Sequence, residues 1–169
     1  FVYKVWIVAK MPFYGPQEWD PKLIFAQIVS IQCLGYISQG ILLSMFHALF
    51  GTVMSLDQFF SFSAVDAAAP TGWVIIMSTL LNAVVSAGVL CLVVERAKKC
   101  LDFTFTSHFV HLSACTMYEG FPSNWEWWML NFASLVVMAV VGEYLCMRRE
   151  LREIRISDFL SLRNPSSTN

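Results

Sequence analysis

Two histidines and a carboxylate set inside apolar sequence are the residues best suited to chemistry. Thr104, His108, His111 and Cys115 stand at i, i+4, i+7 and i+11. That spacing places all four on one face of a helix. One helical face can present two imidazoles to a metal ion, and Glu143, in the next apolar run, is a candidate third ligand. Together they define one reading of the chain, an intramembrane metalloenzyme using a His108/His111/Glu143 seam. The pattern argues against it. A zinc-protease helix spaces its histidines i, i+4 with a glutamate between them, and neither feature is present. The three His-rich boxes of membrane desaturases, a Gly-rich phosphate loop and a usable Ser-His-Asp order are also missing. No metal, cofactor or catalytic residue is assigned, and the metalloenzyme stands as the alternative reading.

Packing explains the same residues without chemistry. Gln32, Gly35 and Gln39 recur at i, i+3, i+7; Ser78, Asn82 and Ser86 at i, i+4, i+8; Ala139, Glu143 and Cys146 at i, i+4, i+7. Each apolar run therefore carries one polar or small face. In a bilayer such faces turn toward the bundle interior, where amides and hydroxyls hydrogen-bond between helices. The expected buried polar seam consists of Gln32, Gln39, Asn82, His108, His111 and Glu143. Glu143 lies five residues before Arg148, roughly 7–8 Å inside that end of its helix. His108 lies at a similar depth on an antiparallel neighbour, so Glu143 is expected to approach His108 or Thr104. Asp102 is read as the cap of its helix.

The elements that position these residues are membrane spans. Of the 169 residues 57% are hydrophobic and 14% charged, against about 25% charged in an ordinary soluble domain. A net charge of −1 gives no basic face for nucleic acid. A spanning helix needs about 20 apolar residues. Four stretches qualify, at about 23–46, 73–94, 101–118 and 125–147. Asp20 and Pro21 suit the start of the first, Pro70–Gly72 read as breakers before the second, and Gly120 and Pro122 force a turn before the fourth, with Ser123 as its cap. Trp73, Trp125, Trp127 and Trp128 lie at span ends, where indoles favour the interface. The fold class expected is an all-α membrane protein, a four-transmembrane-helix bundle. Its parts are an N-terminal segment (1–22), the bundle (23–147) and a juxtamembrane helix with a disordered tail (148–169).

Orientation follows from charge. All eleven Lys and Arg fall before the first span, between the second and third, or after the fourth. The segments 51–72 and 119–124 carry none. By the positive-inside rule both termini are cytosolic. The Arg148, Arg149, Arg152 and Arg155 cluster is suited to anionic membrane lipids. No signal peptide is recognisable before the first span, and Met11 is a plausible start.

At the third and fourth spans the sequence resembles a known family. The run Lys99-Cys100-Leu101-Asp102-Phe103-Thr104, with Thr106, His108, Phe109, His111 and Leu112, is similar to its third-span signature. The run Gly142-Glu143-Tyr144-Leu145-Cys146-Met147-Arg148, with Met138, Ala139, Glu150, Leu151, Glu153 and Ile154, is similar to its fourth. Trp19-Asp20-Pro21, Gln27 and Leu56-Asp57-Gln58 also match. These residues resemble the Sys family of Golgi integral membrane proteins, from about Trp19 to Ile154. The resemblance implies a non-enzymatic, multi-pass receptor of the trans-Golgi. Its partner would be an Arf-related, Arf-like small GTPase whose N-terminus is acetylated instead of myristoylated, and downstream GTPases and golgin tethers would follow. The residues before Met11 and after Ile156 depart from the family pattern. On this reading the docking entrance is the cytosolic rim formed by Asp102, Thr104, His108, Glu143, Arg148 and Arg149.

Overall fold

A computed structural model describes residues 21–94 and 97–163, excluding the side chains of 97–98 and 153–163. The expected Asp20 cap, most of the 1–22 segment, the Glu95–Arg96 link and the 164–169 tail lie outside the described residues. Every regular element among them is a helix. Four are long: α1 (Pro21–Phe50), α3 (Pro70–Val94), α4 (Ala97–Tyr118) and α5 (Trp125–Arg163); α2 (Asp57–Phe60) is a single turn between α1 and α3.

Among the described residues three helices are long and apolar enough to cross a membrane: Pro21–Phe50, Pro70–Val94 and Trp125–Arg152 within α5. The expected third span does not reach that mark. The 22 residues of α4 give it about 33 Å of length, but Lys98, Lys99, Asp102, the threonines and the histidines dilute its apolar character. It still presents Phe105, Phe109 and Val110 on its outside. The other long helices do the same, with Phe25, Ile37 and Ile41 on α1, Met77 and Leu92 on α3, and Phe132 and Val140 on α5. Continuous apolar exposure of this kind belongs against lipid, not water.

Helix boundaries follow local chemistry. Pro70 opens α3 instead of preceding it, since a proline at the first helical position leaves no N–H unpaired. Asn124, not Ser123, caps α5: its Oδ1 accepts the Glu126 N–H at 3.1 Å. α4 starts at Ala97, so Asp102 is an exposed residue inside the helix and not its cap. Gly120 reverses the chain between α4 and α5 with φ 102°. α5 runs on past 147 as one helix to Arg163.

α3 is the central element, packed against α1 and α5, while α4 rests mainly on α5. Two apolar clusters form the core. One joins Ile31, Ala83, Ala87, Leu90, Phe103, Met138 and Cys146. The other joins Leu43, Val65, Val74, Ile75, Cys115, Trp127 and Leu130. Trp127 is therefore a core residue, only 4% exposed, whereas Trp73, Trp125 and Trp128 are exposed as interface indoles would be. Gly142 permits the close α3–α5 approach: a Cβ there would stand 2.9 Å from a Leu90 Cδ.

Candidate functional site

A polar layer lies between the two apolar clusters. It encloses a cavity of about 110 Å³ lined by Gln32, Tyr36, Gln39, Asn82, His108 and His111, among others. α1 supplies the amides. Gln32 donates to the Ser107 carbonyl at 2.7 Å and ties α1 to α4. Gln39 donates to Ser78 at 3.4 Å and Thr79 at 3.2 Å on α3. Ser38 donates to Asn82 Oδ1 at 2.5 Å, and Asn82 returns a bond to the Gly35 carbonyl at 3.4 Å. Near one end, Gln27 donates to the Val93 carbonyl at 3.1 Å. Each bond links two helices, which is what an amide in a hydrocarbon surround must do to avoid desolvation without a partner. The Oε1 of Gln39 is the exception, buried and without a partner.

Both histidines hydrogen-bond within this layer. His108 Nδ1 donates to the Thr104 carbonyl at 3.0 Å. His111 Nδ1 meets the Tyr36 hydroxyl at 3.2 Å, and its Nε2 meets the Cys115 sulfur at 3.6 Å. His111 also stacks on Trp127, with ring centroids 6.4 Å apart. Among the described residues no three His, Cys, Asp or Glu side chains stand where they could share a metal ion. The His108/His111/Glu143 set is therefore not brought together.

Five of the six expected seam residues line the cavity: Gln32, Gln39, Asn82, His108 and His111. Glu143 does not. Its side chain is exposed, and it makes no hydrogen bond to His108 or Thr104. The polar contribution of α5 comes instead from Asn131 and Ser134. The reason is helical phase. The buried stripe of α5 runs through Ala139, Gly142 and Cys146, an i, i+3, i+7 line whose middle lies about 70° around the helix from Glu143. Tyr36 was not singled out by sequence reasoning, although its position between Gln32 and Gln39 at i+4 was the available signal.

The expected rim residues divide between exposed and buried positions. Asp102, Glu143 and Arg148 are exposed. Thr104 is fully buried, its hydroxyl donated to the Cys100 carbonyl at 2.8 Å. Arg148 lies over the Tyr144 ring, 4.9 Å from its centroid. Arg149 turns inward and donates to the Cys91 carbonyl at 3.2 Å. Beside it, the Cys100 and Cys146 sulfurs are 3.0 Å apart.

The opposite end is closed by hydrogen bonds. His47 Nε2 donates to Gln58 Oε1 at 2.6 Å while its Nδ1 accepts from the Thr52 hydroxyl. Gln58 in turn donates to the Val53 carbonyl at 3.0 Å. Tyr118 donates to Asp57 at 2.8 Å, Asn124 to the Val65 carbonyl at 2.8 Å, and the Ala67 N–H to Glu126 at 3.0 Å. Glu119 accepts from Ser63 at 2.9 Å. Hydrogen bonding from Ser61 and Ser63 holds its carboxyl below the ordinary glutamate range.

Known proteins have similar sequences. A "Protein SYS1 homolog" of Nematostella vectensis is 45% identical over 139 residues, 82% of this chain and 88% of the relative. A second SYS1 homolog, from Dictyostelium discoideum, is 40% identical over 84% of this chain and 61% of its own length. "Protein SYS1" of Saccharomyces cerevisiae is 27% identical over 79% of this chain and 66% of its own. No solved structure matches. The family described as SYS1, "Integral membrane protein S linking to the trans Golgi network", matches residues 14–156, which takes in the seam, the closed end and the charged rim alike. The chain belongs to the SYS1 family of integral membrane proteins.

Proposed function

We propose that this chain is a four-span, non-enzymatic receptor of the trans-Golgi membrane, with both termini in the cytosol. In this reading it docks an Arf-related small GTPase with an acetylated N-terminus at the rim around Asp102, Glu143 and Arg148. The observation that carries it is the asymmetry of the two ends. One end is closed by side-chain hydrogen bonds that join α2 and its flanking loops to the ends of α1 and α4 and the start of α5. The other leaves Asp102, Glu143 and Arg148 exposed. All Lys and Arg fall at or before the start of α1, around the α3–α4 junction or from Arg148 onward in sequence, and none falls in 51–72 or 119–124, which favours the cytosol for the end with Asp102, Glu143 and Arg148. The apolar outside of α4 supports its crossing the bilayer, with its polar groups turned to the cavity.

The physical need is clear. One acyl chain gives only marginal membrane binding, so stable anchoring takes a second signal. A GTPase with only an acetyl cap has less, and a receptor supplies the rest. Acetylation also removes the terminal positive charge, which favours entry of an amphipathic segment between helices. In cells lacking this protein, the GTPase should leave the Golgi for the cytosol. A GTPase that stays on the Golgi in such cells contradicts the receptor reading. The topology is checked separately by labelling cysteines introduced in 51–72 and in 164–169: only the latter should react from the cytosolic side.

A further inference from the structure

The polar layer keeps hydrogen-bond acceptors that lack donors. Gln39 is buried in the wall of the cavity, and its Oε1 has no partner. Three more cavity-lining residues carry an acceptor with no donor among the described residues. Gln32 uses only its amide nitrogen, on the Ser107 carbonyl. Asn131 uses only its amide nitrogen, on the Trp127 carbonyl at 2.9 Å. His108 donates through Nδ1 to the Thr104 carbonyl, so in the neutral ring Nε2 is an acceptor. Ser86 and Ser134, buried in the same walls, add hydroxyls that both donate and accept. No Lys, Arg, Asp or Glu lines the cavity, so a charged group would enter it without a counter-ion, at high cost. A single water needs about 10–15 Å³ of such space, and this cavity of about 110 Å³ is several times larger.

The cavity has an apolar neighbour. A groove of about 170 Å³ runs between α4 and α5 and shares His108 and Asn131 with the cavity. Its other walls are Phe105, Phe109 and Leu112 from α4 and Trp128, Phe132 and Leu135 from α5, with Trp127 behind them. Phe105, Phe109 and Phe132 are exposed on the outside of the bundle, so the groove opens where lipid chains lie. Polar cavity and apolar groove thus meet at two residues, the shape of a site for a lipid head with its chain.

We infer that the cavity and the groove form one site for an uncharged membrane lipid whose head carries several hydrogen-bond donors, a ceramide. Its amide N–H and two hydroxyls supply donors for Gln39 Oε1, Asn131 Oδ1 and His108 Nε2. Its amide carbonyl accepts from a serine hydroxyl, and one of its chains lies in the groove. Donor count selects among uncharged lipids. A sterol or a diacylglycerol has one hydroxyl donor and leaves the other acceptors unpaired, which is costly away from water. A phospholipid brings charge. His108 lies midway along α4, a depth that an uncharged head reaches far more readily than a charged one. The site rests on the proposed crossing of the bilayer by α4 but not on GTPase docking.

The test uses the full chain in lipid nanodiscs that contain a trace of ceramide with a photoreactive diazirine on its acyl chain. After irradiation, cross-linked peptides are mapped by mass spectrometry. The label is expected on α4 and α5 around Phe109 and Phe132. Unlabelled ceramide should remove it at a concentration about tenfold below that needed of cholesterol or a diacylglycerol. Asn131→Leu should reduce labelling in the groove about tenfold. Asn131 bonds only to its own helix, so the bundle does not depend on it, and the wild-type map needs no variant. Label spread evenly over the outsides of all four helices, as bulk lipid around a water-filled cavity would give, overturns the inference. Equal competition by the three lipids, or unchanged labelling in Asn131→Leu, does so too. The tail labelling at 164–169 fails separately: a luminal tail contradicts the four-span reading and the lipid site with it, whereas a cytosolic tail without groove label contradicts the lipid site alone.

Discussion

The two ends of the bundle solve the same problem in opposite ways. Where α1 turns toward α3, the chain spends 19 residues, 51–69, on a short helix and loops whose polar groups are paired. His47, Gln58, Asp57, Tyr118, Asn124 and Glu126 each have a named partner there. At the far end α3 passes into α4 with only residues 95–96 between the helices, and the charged residues Asp102, Glu143 and Arg148 face outward. A closed end holds four helices in register; an end whose charged side chains are exposed offers them to a partner. On the proposed reading, the first end is scaffold and the second is the docking surface.

The contrast is sharpest at two glycines. A Cβ on Gly72 would lie 1.8 Å from the backbone oxygen of Asp66. Backbone cannot yield as a side chain can, so Gly72→Ala should destabilise the closed end by about 3 kcal/mol, read as a lowered unfolding temperature in detergent. Gly142→Ala meets only the flexible tip of Leu90 at 2.9 Å, so about 1 kcal/mol is expected there. Equal losses at the two positions would break the distinction.

His47→Ala falls between these two in size. It removes a ring bonded at both nitrogens and strands Thr52 and Gln58 in a partly buried site. A loss of about 2 kcal/mol is expected. Glu143→Gln and Arg148→Gln, on exposed rim positions, should each change stability by less than about 0.5 kcal/mol. The same thermal measurement checks all three, and a large loss at Glu143 would return it to the interior.

How far the sequence reveals this division depends on the element. Long apolar runs made α1, α3 and α5 legible, because few other structures tolerate 20 such residues. The seam was legible on α1 and α3, where Gln32, Gln39 and Asn82 are the strongly polar residues available and so define the inward face. On α5 the polarity of Glu143 pointed to the wrong face. The stripe Ala139, Gly142, Cys146 differs from Ala139, Glu143, Cys146 by one residue, and periodicity alone does not set helical phase that finely. Cavity-lining Asn131 and Ser134 were overlooked because Trp127 and Trp128 made that turn look interfacial. The thiol pair was illegible, since Cys100 and Cys146 come from two helices whose rotations must be known together.

The smallest effect expected is that of acid on the closed end. Glu119 accepts hydrogen bonds in the fold that an unfolded chain lacks, so its folded pKa is depressed. Its stabilising contribution is then fully present above the unfolded value of about 4.3 and is lost as pH falls through the lower folded value. Melting followed from pH 7 to 3 should show a small drop confined to the acid limb, absent in Glu119→Gln. A drop centred above pH 5 would have another origin.

Docking at the charged rim is tested most directly by flotation with purified components. Liposomes carrying this chain are mixed with the Arf-related GTPase, N-acetylated or not, and floated on a density gradient. The expected result is that acetylated GTPase floats with the chain, that the unacetylated form does so at least about tenfold less, and that Glu143→Lys with Arg148→Glu abolishes flotation while leaving the melting temperature unchanged. Flotation no greater than with protein-free liposomes, or full binding by the rim variant, would contradict the rim as the docking surface.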